Sequence, residues 1–404
     1  MTKNRYYTLI LVLGALTALA PFSIDMYLPG FPAIAKSFGV STGKVTLSLS
    51  SFFLGIALGQ VLYGPLLDRF GRKKPLYAGL FLYLAATAGC YYAPSIEALI
   101  ALRFVQAIGS CAAGVVSMTM VRDLFPVANN VKVFSLLLLV LGASPLVAPT
   151  IGGFISSAFG WQAIFITLFV LALIILIASY ALLPEPQQPK AAHPLNIKSI
   201  LSGYGQVLKK PQFLTYSVGG GIASSGMFAY IAASPTIFMV GYGISNRTYG
   251  CVFAIITLGF VCLSQLNRFF SKYYSPAQIV FGAISVMVLM SIILFNGLNQ
   301  KWFGIVGTAV ILFIFLGCVG IINPNAAALS MEPFEKNTSY AASLFGLIQW
   351  GIAGITAVIV SLFKNSTAIP LAGIMAATAI LALLITYFGS KAIQQQLVLY
   401  KEVV

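Results

Sequence analysis

Long apolar stretches recur from one end of this 404-residue chain to the other. A helix needs about 20 apolar residues to cross a bilayer. In hydrocarbon no water satisfies the backbone, so such stretches are held to helix. The period-two alternation of barrel strands is absent. The stretches fall near residues 6–35, 43–65, 75–94, 98–121, 131–157, 162–183, 213–240, 248–268, 276–297, 302–328, 339–363 and 367–389. The expected fold is an all-α polytopic membrane protein with twelve transmembrane helices. Charged residues agree with this, at 8% of the chain against roughly 25% in a soluble domain.

The start of the chain imitates a secretory leader, down to Ala18-Leu19-Ala20 before Pro21. The apolar run continues past that point, and proline just after a cut is a poor substrate. An uncleaved first helix is expected. Basic residues then set the orientation. With both termini cytoplasmic, 17 of the 23 Lys and Arg fall on the cytoplasmic side and five on the other, with Arg103 inside a span. This is the positive-inside bias, and it accounts for the net charge of +15 without nucleic acid, through contact with an anionic leaflet.

One long polar segment divides the chain six plus six. The expected domains are a half at 1–183, a Pro-rich linker at 184–212 and a half at 213–404. The halves resemble each other. "GQVLYGPLLDRFGRK" (59–73) aligns with "GFVCLSQLNRFFSKY" (259–273), "MYLPGFPAI" (26–34) with "AYIAASPTI" (229–237), and "FGVS" (38–41) with "YGIS" (242–245). Parallel repeats of this kind are typical of transporters, with the site at midplane. The charges do not repeat: Asp68 is matched by Arg268, and Asp25 by Phe228.

Five cysteines lie in apolar segments without CxxC spacing, and the one histidine, His193, lies in a polar stretch. These are packing and solvated residues rather than metal ligands or disulfides. No metal or cofactor is expected. No nucleophile–base pair or phosphate loop points to an enzyme.

Of the eight acidic residues, only Asp25 falls well within an expected span, and Arg103 is the only deep base. A charge at a helix centre costs about 2.5–3.5 kcal/mol and marks a pathway or a wet cavity. Desolvation penalises a buried carboxylate, which brings proton exchange within reach at ordinary pH. Arg103 stays charged and is a candidate modulator of Asp25, or the two form a static pair. Pro21, Pro29 and Pro32 remove backbone donors around Asp25. Freed carbonyls there are tolerable if they line a cavity. Phe22, Gln106, Tyr230, Asn323, Asn325, Gln349 and Trp350 are polar or aromatic residues in spans expected near the centre, and are candidate cargo contacts.

"GPLLDRFGRKK" (64–74) resembles the signature loop of the major facilitator superfamily, with Gly64, Asp68, Arg69, Gly71 and Arg72 in motif order. "RFVQAIGS" (103–110) resembles the superfamily's fourth-helix motif. "LGASPLVAPTIGG" (141–153) resembles its fifth-helix antiporter motif through Gly142, Pro145, Pro149, Gly152 and Gly153, with Ala143 and Ser144 as departures. "SIDMYLPGFPAIAKSFGVS", "VRDLFP" and "MEPF" are similar to the Bcr/CflA group of drug–proton antiporters.

The resemblance implies two pseudo-symmetric six-helix halves, a central cavity opening to either side in turn, and a monomer in the bacterial inner (cytoplasmic) membrane. It implies Asp25 as the proton-coupling acid, Arg103 as its polar partner, and Asp68, Arg72 and Asp123 as a cytoplasmic latch. Some relatives carry a second acid two turns earlier. That place falls near Thr17, so Asp25 is expected to work alone.

The function expected is proton-coupled antiport: multidrug efflux of small amphipathic compounds, of the kind that confers antibiotic resistance. A dedicated siderophore or metabolite exporter and a proton-coupled importer of a nutrient or metallophore stay open. A membrane receptor or intramembrane enzyme is the reading from a different class.

Overall fold

The computed structural model describes residues 3–125, 127–185, 197–300, 302–334, 338–363 and 369–403. Much of the expected linker, with His193, lies outside the described residues. So do Lys301, Glu335, Lys336 and Lys364. Among the described residues there are fourteen α-helices and no strand.

The chain forms two compact units, Met1–Asn196 with Phe238–Ala254, and Ile197–Ile237 with Ile255–Val404. The first holds α1 (Lys3–Asp25), a 3₁₀ turn (Leu28–Gly30), α2 (Phe31–Phe38), α3 (Thr42–Phe70), α4 (Lys73–Tyr91), α5 (Ile96–Leu124), α6 (Val127–Phe159) and α7 (Gln162–Leu182). The second holds α8 (Ile197–Leu208), α9 (Pro211–Pro235), α11 (Pro276–Asn299), α12 (Ile305–Met331), α13 (Thr338–Ser361) and α14 (Ile369–Val403). Helix α10 (Asn246–Phe270) begins in the first unit and continues in the second.

Among the described residues eleven segments are long and apolar enough to cross a membrane, the first being Arg5–Phe38. Helix α4 occupies the place of the third expected span. Lys73, Lys74 and three tyrosines dilute its hydropathy, but it packs on α5 within the unit. Helix α14 outruns its expected end near 389 and continues to Val403.

The aligned turns have one geometry. Gly39 (φ 64°) and Gly243 (φ 68°) both take the left-handed conformation open to glycine. Two residues on, Ser41 accepts from the Lys44 amide and Ser245 from the Thr248 amide, so each turn ends in a helix N-cap.

Packing inside each unit runs through small residues, as expected where lipid offers no hydrophobic drive. In the first, Gly55 lies against the Phe104 carbonyl and Gly59 against Cys111, which brings α3 onto α5. Gly109 lies against the Tyr83 backbone, bringing α5 onto α4. In the second, three successive glycines let α9 sit among three helices. Gly219 faces Thr386 on α14, Gly220 faces Ala326 on α12, and Gly221 faces Ile352 on α13.

Candidate functional site

The first membrane segment is broken, and the break follows from its prolines. Helix α1 contains Pro21 and ends at Asp25. Pro29 has no N–H for the Asp25 carbonyl, so the helical ladder stops there. The Gly30 amide turns back to the Tyr27 carbonyl (3.1 Å), giving the 3₁₀ turn Leu28–Gly30. Helix α2 then starts with Pro32 in its first turn. Asp25 therefore stands at the last helical position before the interruption.

Asp25 is a buried residue, at 3% exposure. No hydrogen bond or ion pair with the described residues reaches its carboxyl group. Among the described residues the ion pairs are Lys44–Glu97, Arg72–Asp68 and Arg72–Asp123. The expected partnership of Asp25 with Arg103 is thus not made in this structure.

The reason lies in how Arg103 is spent. It is fully buried on α5. One guanidinium nitrogen donates to the Ser23 carbonyl (2.9 Å) and another to Gln106 Oε1 (2.6 Å), while Nε is left without a partner. The guanidinium carbon lies 4.5 Å from the Tyr27 ring centroid and 4.2 Å from that of Phe52. Two aromatic faces stand where a carboxylate was expected, each attracting the cation by about 2 kcal/mol when desolvated. Ser23 and Tyr27 lie two residues before and two after Asp25. Arg103 therefore grips both sides of the break and leaves the acid itself alone.

A buried polar chain supports this grip. Ser23 gives its hydroxyl hydrogen to the Leu19 carbonyl (2.7 Å), which leaves Tyr83 as donor in the 2.7 Å Ser23–Tyr83 contact. Thr87 donates to the Tyr83 carbonyl (2.6 Å), and Gln106 Nε2 donates to Thr87 (2.8 Å). Tyr27 pairs with Ser48 on α3 (2.7 Å). Thr17 donates to the Leu13 carbonyl (2.8 Å) and pairs with Ser117 (2.8 Å), so its place is filled by a hydroxyl pair between α1 and α5. Phe22 is half-buried on α1.

The five residues of the fifth-helix motif, Gly142, Pro145, Pro149, Gly152 and Gly153, all lie on α6, which remains one helix with both prolines inside it. Gly152 sits against the backbone of Met26, the residue after Asp25, and Gly153 against the Asn246 carbonyl.

The loop motif forms a cluster at the ends of three helices. Arg72 Nε donates to Asp123 (2.8 Å), and a terminal nitrogen donates to the Leu67 carbonyl (3.0 Å) and lies 3.6 Å from Asp68. The Arg72 amide donates to Glu185 Oε1 (2.9 Å), beyond the end of α7. Gly71 takes φ 78°, and a β-carbon there would meet that same oxygen at 2.7 Å. Arg69 lies over Phe70 at 5.1 Å. Gly64, the first residue of the loop motif, lies inside α3, because that helix accommodates Pro65 and runs on to Phe70.

Asp123→Asn should destabilise the protein by about 1.5–3 kcal/mol, the range for a hydrogen bond to a charged group. Asp68→Asn should cost at most about 0.5 kcal/mol, since the Asp68 side chain is 74% exposed and its contact with Arg72 is long. Thermal unfolding in detergent compares the two. Equal losses would show that Asp123 holds no special place.

In the second unit one face of α9 gathers most of the remaining candidates. Gly221 lies against Ile352 and Ile348 with the Gln349 backbone just beyond, Ser224 donates to Asn323 (2.6 Å), and Phe228 packs on Trp350 with ring centroids 5.3 Å apart. Positions 221, 224 and 228 share that face at helical spacing. Gln349 Nε2 is buried without a hydrogen-bond partner among the described residues. Tyr230, also on α9, is fully buried. Asn325 stands apart, donating to Asn267 on α10 (2.7 Å) and to the Ile321 carbonyl (2.8 Å).

Glu185 and Asn267 escaped the sequence reading. Glu185 is one of only eight acids, and Asn267 lies in the repeat of the loop motif, so both left a trace. The enclosure of Arg103 by Tyr27 and Phe52 left none.

The family model of the Major Facilitator Superfamily matches residues 13–361. A "Bicyclomycin resistance protein homolog" of Haemophilus influenzae is 32% identical over 389 residues, covering 96% of this chain and 97% of that one. The "Uncharacterized MFS-type transporter YdgK" of Bacillus subtilis is 31% identical over 392 residues, 96% of each chain. Among solved structures, a D-xylose-proton symporter superposes with a TM-score of 0.75 at 15% identity, covering 95% of this chain and 97% of that one.

Proposed function

The chain belongs to the major facilitator superfamily, and from that premise we propose that it exports small amphipathic compounds across the bacterial cytoplasmic membrane, driven by inward proton flow through Asp25. The observation that carries this is a buried aspartate, without a hydrogen bond or ion pair to the described residues, at a break in α1. Such a group is expensive to keep, and a charge inside a membrane segment is a functional site by default. Asp25 lies in the middle of the membrane segment Arg5–Phe38, whereas the other described acids lie within two residues of the ends of such segments or beyond them. The 32% identity to a bicyclomycin resistance homolog supports export of drug-like cargo.

In this mechanism Asp25 takes up a proton from outside as cargo leaves, and gives it to the cytoplasm as new cargo binds. Arg103 holds the Ser23 carbonyl on one side of Asp25 and the Tyr27 ring on the other while the acid changes charge. Asn323 on α12 and Gln349 and Trp350 on α13 supply hydrogen bonds and an aromatic surface to cargo. Arg72, Asp123 and Glu185 tie the ends of α3, α5 and α7 together as the latch. Both termini are cytoplasmic, the working form is a monomer, and the two six-helix halves are joined by the 184–212 linker.

Purified protein in liposomes, with an imposed pH gradient and a panel of drugs and metallophores, tests the direction. Cargo should move against the proton. Movement of cargo and proton together would establish an importer and overturn the exporter.

A further inference from the structure

The break in α1 cannot position itself. Pro29 offers no donor to the Asp25 carbonyl, and the Gly30 amide is used by Tyr27 rather than by Met26. The Asp25 and Met26 carbonyls therefore lack their i+4 partners, while the Met26 amide still donates to the Phe22 carbonyl (3.1 Å). Arg103 on α5 holds Ser23 and Tyr27. Between those two points stands Met26, 1% exposed, and what meets its backbone is Gly152 on α6.

The fit is close on every side. A β-carbon at position 152 would fall on the Met26 carbonyl oxygen, and would lie 2.7 Å from its Cα and 2.8 Å from its carbonyl carbon. These are backbone atoms and cannot swing aside as a side-chain tip can. With hydrogens alone on its Cα, Gly152 can lie against the Met26 carbonyl, in the manner of Cα–H···O contacts between closely packed helices. Its neighbour Gly153 faces Asn246 instead, so the two glycines serve different contacts.

We propose that Gly152 is a positioning residue for the proton site: its missing side chain sets where the Met26 peptide lies, and thereby where the Asp25 carboxyl group points and how far it is buried. This rests on the reading of Asp25 as the proton carrier. It extends that reading by assigning the acid's geometry to α6 as well as to α5. The anchor on α5 is a charge held by polar and aromatic groups. The anchor on α6 is an absence of volume.

The experiment compares wild type, Gly152→Ala, Asp25→Glu, the double variant, and Gly114→Ala. Gly114 is a helical glycine whose β-carbon would meet nothing within 4 Å. Each purified protein is treated with a carbodiimide at one fixed pH, and modification of residue 25 is timed by mass spectrometry. Gradient-driven transport is measured on the same preparations. Gly152→Ala should change the modification rate by about tenfold, whereas Gly114→Ala should stay within about twofold. The longer reach of Glu should compensate in part for a displaced backbone. Asp25→Glu should then cost less transport in the Gly152→Ala background than in wild type.

An unchanged modification rate in folded Gly152→Ala, or transport losses that simply multiply, would overturn the proposal. Should Gly152→Ala not fold, Met26→Gly probes the break from its own side. A freed peptide there should raise modification by about tenfold, and an unchanged rate overturns the idea equally. If the rates shift as expected but Asp25→Asn transports normally, the proton assignment falls and the positioning role stands.

Discussion

Asp25→Asn is expected to abolish uphill transport and leave a folded protein. Asparagine keeps the size and shape of the side chain but cannot carry a proton through the cycle. Because the Asp25 carboxyl group has no partner among the described residues, the substitution breaks no contact. Aspartate at a span's centre costs about 2.5–3.5 kcal/mol, so a neutral replacement should leave the melting temperature in detergent unchanged or raise it. Cargo accumulation under an imposed pH gradient should fall to that of protein-free liposomes. Exchange of cargo down its own gradient should continue. Coupling to voltage should disappear with it, at about 2.3 kcal/mol per charge per 100 mV. Full gradient-driven accumulation by the variant would remove Asp25 from the mechanism.

Arg103→Lys should have the opposite profile and damage the protein itself. Lysine keeps the charge but loses the planar fork that reaches the Ser23 carbonyl and Gln106 together. It also loses the flat surface that lies between Tyr27 and Phe52. Its ammonium is more strongly hydrated than a guanidinium, so the same burial is costlier. The loss should approach the roughly 3–5 kcal/mol seen when a buried charge loses its partner. Thermal unfolding would show it as a large drop, and transport would be lost with the geometry around Asp25. A stable, active lysine variant would show that charge alone suffices at position 103, and that the clamp on both sides of the break is incidental.

The membrane helices were legible because hydrophobicity, length and loop charge all act locally. The prolines around Asp25 were legible for the same reason: a missing N–H interrupts the ladder wherever the chain sits. What ties that interruption down was not. Gly152 contributes by having no side chain, and the Met26 backbone it meets is distant in sequence. Arg103 offered two readings, partner to Asp25 or static pair. Neither anticipated that aromatic rings would surround it, because aromatic residues are common throughout such a chain. Asn325 looked like a cargo contact from its depth, yet it is bonded to Asn267 on the neighbouring helix. Glu185 shows the limit from the other side. It is one of only eight acids, yet its bond to the Arg72 amide depends on where α7 ends beside a left-handed glycine.

The twin turns at Gly39 and Gly243 bear on how the chain is made. During synthesis, the first and seventh apolar segments each leave the insertion machinery followed by the same reversal, a left-handed glycine and then a serine cap. The repeats have diverged in charge but have kept this punctuation, so the nascent protein receives one hairpin instruction twice. Exchanging residues 38–42 with 242–246 would therefore trade like for like. A version synthesised as two separate pieces, cut within the linker, would carry one such turn in each piece.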